Sequence, residues 1–139
     1  MQHKQFVADE GQYDDRGLVK NAVISAWFEA AGKIYLDECH TQGDKACLSQ
    51  AWQQQSLQFD YLHACQPHPS VELELSVIEL GKCSCTLGCR FYQADKLLAV
   101  GSSVMVLVSK LDGAVGMIPV ATREVLKGEM LGFLRIARS

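Results

Sequence analysis

Hydrophobic and polar positions follow two rhythms along the chain. Residues 5–10, Gln-Phe-Val-Ala-Asp-Glu, read as a short strand. They run into Gly11-Gln12-Tyr13-Asp14-Asp15-Arg16-Gly17, where glycines and aspartates signal a loop. From Asn21 the period is helical: Val23, Trp27, Ala30 and Ile34 form one stripe, with Ile24, Phe28, Ala31 and Tyr35 beside it. Asn21 is a good N-cap, and the alanines favour helix through about Cys39. So wide a stripe predicts a helix buried around most of its girth. Gly32 inside it would cost about 1 kcal/mol relative to Ala, which a close approach to a neighbouring sheet would explain.

Residues 40–53 are polar and predict a loop with a helical turn. From Gln55 the period becomes two. Leu57, Phe59 and Tyr61 alternate with polar residues until Gln66-Pro67-His68-Pro69-Ser70, and Val71, Leu73, Leu75 and Val77 then alternate with Glu72, Glu74 and Ser76. Gly81-Lys82 makes a turn, and the next strand sets Cys83, Cys85, Leu87, Cys89 and Phe91 on one face. Ala94-Asp95-Lys96 turns into a strand over Leu97–Lys110, apolar on both faces and ended by Asp112-Gly113. Pro119 opens a short helix, Val120–Lys127, closed by Gly128; the residues beyond, through Arg135 and Arg138, carry no clear pattern. This order predicts an α+β fold, an antiparallel sheet of about five strands wrapped around one long helix, plus a short C-terminal helix. A strand apolar on both faces calls for a second subunit to cover it, so at least a dimer is expected.

Composition narrows the function. The chain has 139 residues, 48% of them hydrophobic, with sixteen acids against thirteen bases and a formal charge of −3. That describes one domain over residues 1–139, argues against disorder, and speaks against holding nucleic acid by bulk charge. The amino-terminal MQHKQFVADEGQYDDRG has no apolar h-region, and the longest apolar run, Leu97–Val108, is too short to span a bilayer. The expectation is a soluble, cytoplasmic protein that does not enter a membrane. Cys39, Cys47, Cys65, Cys83, Cys85 and Cys89 then read as reduced thiols.

Asp14 and Asp15 stand just before the start of the helix. Free N–H groups there favour negative charge and polarise a carbonyl, and a nearby carboxylate can attack that carbonyl or take a proton from water. Turn formation is the plainer role for such a pair. The scattered His3, His40, His63 and His68 pair with no acid or cysteine at metal-ligand spacing. Cys83, Cys85 and Cys89 read as core thiols, and Trp27 and Phe28 as core or interface aromatics.

The segment Asp14, Gly17, Leu18-Val19, Lys20-Asn21 and Trp27-Phe28-Glu29, with the Gly81-Lys82-Cys83-Ser84 turn and the Pro119 segment, resembles the 4-hydroxybenzoyl-CoA thioesterase family of hotdog-fold proteins. The resemblance extends over essentially the whole chain. It implies an acyl-CoA thioesterase that cleaves a thioester to free acid and CoA, with no cofactor apart from the substrate's own CoA. It implies Asp14 as nucleophile or general base, and the Asn21 backbone N–H polarising the thioester carbonyl. Gly17, Lys82 and Ser84 would contact the substrate, Lys82 meeting a CoA phosphate. The working form would be a homodimer or homotetramer with the substrate arm between subunits. Asp15 is a competitor for Asp14 but lies one residue too close to Gly17.

The chain departs from the family's pattern at Lys20, at Ile24-Ser25, and at Gly32, where many members carry Arg, so the acyl group is left open. Three other readings remain: a hotdog hydratase, which normally needs a histidine near the helix; a non-catalytic acyl-CoA-binding protein; and a thioesterase acting on acyl carrier protein. No histidine falls between His3 and His40, which counts against the first.

Overall fold

The computed structural model describes residues 1–43 and 49–138, with side chains described as far as residue 130. Five strands, β1 (Gln2–Phe6), β2 (Gln50–Tyr61), β3 (Val71–Leu80), β4 (Ser84–Gln93) and β5 (Lys96–Ser109), form one antiparallel sheet in the order β1-β3-β4-β5-β2. Helix α1 (Asn21–Gly43) lies between β1 and β2 in sequence, and α2 (Val120–Arg138) follows β5. The α+β architecture anticipated from the residue pattern is the one observed.

Sheet and helix meet through side chains of complementary period. Ile24, Phe28, Ala31, Tyr35, Leu36 and Cys39 recur at helical spacing on the buried face of α1. Leu73, Leu75, Leu87, Phe91 and Leu107 meet them from alternate strand positions, all nearly inaccessible. Each large side chain so buried contributes about 2 kcal/mol. Gly32 packs closely against β4: a Cβ there would sit 3.0 Å from Leu87 Cδ1.

Several boundaries differ from expectation. The first strand is Gln2–Phe6, not residues 5–10, because it pairs through its backbone with β3, Phe6 opposite Val71; residues 10–12 form a 3₁₀ turn. Residues 40–43 continue α1, and 50–53 already belong to β2; residues 44–48, including Cys47, lie outside the described residues. The polar run Gln53-Gln54-Gln55-Ser56 concealed this strand. It is exposed along a sheet edge, and a bulge between Gln54 and Ser56 breaks the alternation.

The C-terminal helix is long rather than short. It passes through Gly128, which is not in a left-handed conformation, and its early turns are anchored by buried Leu126 and by Glu129, whose carboxylate accepts from the Met1 amine at 2.7 Å. Helix α1 is also less enclosed than its stripe predicts: Ala22, Ala26, Ala30 and Ile34 face outward, Ile34 about half exposed. Among the described residues no helix is long and apolar enough to cross a membrane.

Candidate active site

The loop ahead of α1 is organised by one carboxylate. Asp14 Oδ1 accepts from the N–H groups of Arg16 at 2.8 Å and Leu18 at 3.0 Å, while the Asp14 N–H donates to the Leu18 carbonyl at 2.7 Å. Gly17 adopts φ +76, a left-handed turn that an L side chain rarely takes, and donates to the Asp14 carbonyl at 3.0 Å. Among the described residues the second oxygen, Oδ2, meets only the exposed Arg16 guanidinium, at 3.4 Å. The Leu18 N–H is the strongest influence on the acid and holds it below the ordinary aspartate value of 3.8; partial desolvation opposes this, and the Arg16 N–H and guanidinium reinforce it. One oxygen is therefore fixed by two backbone N–H groups and the other is held more loosely. Asp15 is exposed and shares none of these bonds.

Asn21 is the first helical residue rather than the cap. The Lys20 carbonyl accepts the first-turn bond from Val23 at 3.0 Å, so Lys20 occupies the capping position. Among the described residues the Asn21 N–H has no acceptor. Asp14, Arg16, Leu18, Lys20, Asn21, Ala64 and Cys65 line a single crevice of about 260 Å³. Asp14 and the first residue of the helix, Asn21, thus both line one space.

The far wall of this crevice comes from the loop after β2. The Val19 N–H donates to the Cys65 carbonyl at 2.9 Å, joining the two walls. Gln93, buried at the end of β4, holds the loop in place. Its Oε1 accepts from the Gln66 N–H at 3.0 Å, and its Nε2 donates to the carbonyls of Gln66 at 2.8 Å and Pro69 at 2.7 Å. No local pattern marks this residue, because a lone glutamine at a strand end reads as solvated. Gln93→Met, which removes all three bonds at nearly constant volume, is expected to cost about 2 kcal/mol in urea unfolding. It should also speed amide exchange at Val19 and Gln66; unchanged exchange at both would contradict the clasp.

The remaining predicted residues lie elsewhere. Lys82 is exposed in the β3–β4 turn and Ser84 opens β4, whereas Gln93 closes β4 on the crevice side; the ten residues of this strand place its two ends on the order of 30 Å apart. One chain alone therefore does not bring Lys82 and Ser84 to Asp14. The Lys82 turn is fastened instead by α2, where Arg123 Nη2 donates to the carbonyls of Gly81 at 2.6 Å and Lys82 at 3.1 Å.

The histidines are dispersed. His40 is buried against Thr122 Oγ1 at 2.8 Å, His63 Nδ1 lies 2.9 Å from the Leu97 carbonyl, and His3 and His68 are exposed. Among the described residues no three metal-ligating side chains converge. Cys39, Cys65, Cys83, Cys85 and Cys89 are free thiols, and burial pushes those of Cys39, Cys85 and Cys89 up to about 12. Phe6 stacks on Trp27 with centroids 4.9 Å apart, and Phe28 meets Phe59 at 5.8 Å.

Residues 16–100 match the model of the Thioesterase superfamily, a stretch that includes Gly17, Asn21, Lys82 and Ser84 and begins two residues after Asp14. No curated protein matches the chain. Among solved structures, a predicted thioesterase from Bacillus stearothermophilus is similar at TM-score 0.82 and 20% identity, over 91% of this chain and 94% of that one. The PA5185 protein of Pseudomonas aeruginosa PAO1 has TM-score 0.78 and 22% identity, over 93% and 91%. A Thermus thermophilus thioesterase complexed with coenzyme A and Zn has TM-score 0.77 and 20% identity, over 92% of each chain. At these identities the likeness concerns the fold.

Proposed function

The chain belongs to the Thioesterase superfamily and is by that membership a thioester hydrolase; from that premise we propose that it cleaves acyl-CoA to a free acid and CoA at the crevice beside Asp14. The observation that carries this reading is that Asp14, whose Oδ2 meets only the Arg16 guanidinium among the described residues, and Asn21, whose N–H has no acceptor among them, line one crevice. The thioester oxygen would accept from the Asn21 N–H, in a field already favourable to negative charge. Asp14 Oδ2 would act on the carbonyl carbon in one of two ways. It attacks directly, giving a mixed anhydride that water then opens, or it takes a proton from a water whose oxygen attacks. In either course the carbon–sulfur bond breaks and the thiolate leaves to be protonated. Two N–H groups on Oδ1 hold the carboxylate still, so little orientational freedom is lost on reaching the transition state.

Lys82 and Ser84 enter this scheme through a second copy of the chain. The outer edge of β2, twelve residues long and paired only with β5, offers unpaired backbone groups to such a copy. In the homodimer so formed, Lys82 would meet a CoA phosphate at the other protomer's crevice. A homotetramer built from two such dimers keeps the same sites. No added cofactor is required, and free thiols suit a reducing cytoplasm.

Thiol release from a panel of short, long and aromatic acyl-CoAs tests the reading, with acyl carrier protein thioesters alongside. Hydrolysis of at least one acyl-CoA well above the blank is expected. Tight acyl-CoA binding without thiol release would instead favour a binding protein, and release from carrier-protein thioesters alone would reassign the substrate.

A further inference from the structure

Two cationic residues, Arg16 and Lys20, line the Asp14 crevice against the one carboxylate of Asp14. The crevice is thus net positive in a chain whose formal charge is −3. Its position sharpens the contrast. Helix α1 begins there, and the field of a helix start disfavours a cation. Lys20 nevertheless holds the capping position, where Ser, Thr, Asp or Asn would close the helix end better. Among the described residues Lys20 has no acidic partner, and exposed Asp15 pairs with neither cation.

Arg16 is loosely held. Its guanidinium stands 3.4 Å from Asp14 Oδ2, longer than the roughly 2.8 Å of a strong charge-assisted hydrogen bond. Asp14 offers it a single oxygen, because Oδ1 already accepts from two backbone N–H groups. A carboxylate carried by the substrate offers both oxygens, the arrangement in which a guanidinium pairs best. An Arg16 that turned to such a group would also release Asp14 Oδ2. The apolar part of the wall, Leu18, Val19, Ala64 and Cys65, suits a short run of methylenes between the two ends.

Resting on the thioesterase reading, we propose that Arg16 and Lys20 select a dicarboxylic monothioester, a short acyl group whose far end is a carboxylate. With the thioester at Asp14, the CoA phosphates lie elsewhere. An extended pantetheine arm of about thirteen bonds sets the nearest phosphate roughly 15 Å from the sulfur. Arg16 instead contacts the carboxylate that acts on the thioester carbon, so the anion it meets belongs to the acyl side. Volume bounds the length. A cavity of roughly 150 Å³ takes one benzene, so the crevice of about 260 Å³ admits the reacting carbonyl and about four further carbons.

The test compares glutaryl-CoA, its neutral methyl ester and pentanoyl-CoA, each corrected for spontaneous hydrolysis, with wild type, Arg16→Gln and Lys20→Gln. Wild type should favour glutaryl-CoA over each neutral ester by about tenfold or more in kcat/KM. Arg16→Gln should lower that ratio about tenfold, and Lys20→Gln about threefold. Glutamine keeps the turn intact, because Arg16 meets Asp14 Oδ1 through its backbone N–H. Binding is measured separately with unreactive thioethers. By calorimetry 4-carboxybutyl-CoA should bind about tenfold tighter than pentyl-CoA, a difference that Arg16→Gln erases. Equal turnover of charged and neutral esters, or a ratio that survives Arg16→Gln, would overturn the assignment. An equal loss on all three esters with weaker binding of free CoA would also overturn it, giving the cations to a phosphate. Should no ester be cleaved while 4-carboxybutyl-CoA keeps its Arg16-dependent advantage, the hydrolase reading fails and the selection of a carboxylate stands.

Discussion

Asp14→Asn is expected to lower hydrolysis of the preferred acyl-CoA by about a thousandfold, the middle of the range seen when an essential acid or base is removed. The substitution isolates chemistry from structure. An asparagine Oδ1 still accepts from the N–H groups of Arg16 and Leu18, so the loop keeps its shape. What disappears is the charge on Oδ2 and its contact with Arg16, an exposed pair of little worth to stability. Thermal unfolding should therefore stay close to wild type while turnover collapses. Asp15→Asn, altering an exposed side chain that makes none of this turn's hydrogen bonds, should remain within twofold. A loss under tenfold for Asp14→Asn would remove Asp14 from the mechanism.

The same contacts set the pH dependence. In the proposed mechanism ionised Asp14 is the working form, and its pKa lies below 3.8 because the Leu18 N–H stabilises the carboxylate. Activity should hold from neutral pH downward and fall only as pH drops through that lowered value, provided the protein is still folded. A pH–rate profile with its acid limb above about 5 would contradict a carboxylate so stabilised.

The largest expected effect on stability lies at the opposite end of the molecule. Gly43, the last residue of α1, packs against the first turn of α2 so closely that a Cβ would fall 2.5 Å from both Cα and N of Thr122. The obstacle is backbone, which cannot rotate aside. Gly43→Ala must push the helices apart, straining the neighbouring His40–Thr122 hydrogen bond and the α2 contact that carries Arg123 to the Lys82 turn. A cost of about 3 kcal/mol is expected, at the upper end for overpacking. Calorimetry or urea unfolding would register it, and a change below about 0.5 kcal/mol would show that the helices separate freely.

Elements whose side chains carry their own period are legible in the chain itself. The stripe from Ile24 to Tyr35 and the alternation of Val71 to Val77 each identify the element and its buried face, since period and burial are local consequences of helix and strand geometry. The loop at Asp14 is legible too, because Asx turns and left-handed glycine are recorded in residue type at short range. Other features have no local signature. Residues 50–53 are strand because β5 supplies backbone partners, which glutamines accept as readily as valines. Helix α2 passes Gly128 because its anchors are distant in sequence, Met1 among them.

The amino-acid sequence by itself determined the class of fold, the long helix with a carboxylate poised before it, and the left-handed turn that Gly17 makes possible. Only the tertiary structure decided that the loop after β2, pinned by Gln93, would close a crevice around that carboxylate, and that Lys82 would lie far from it within one chain. The division follows from range. Propensity and periodicity act over a few residues, whereas a site assembled from residues 14, 21, 65 and 93 depends on where separate segments meet, and that is set by the packing of the whole sheet against the helix.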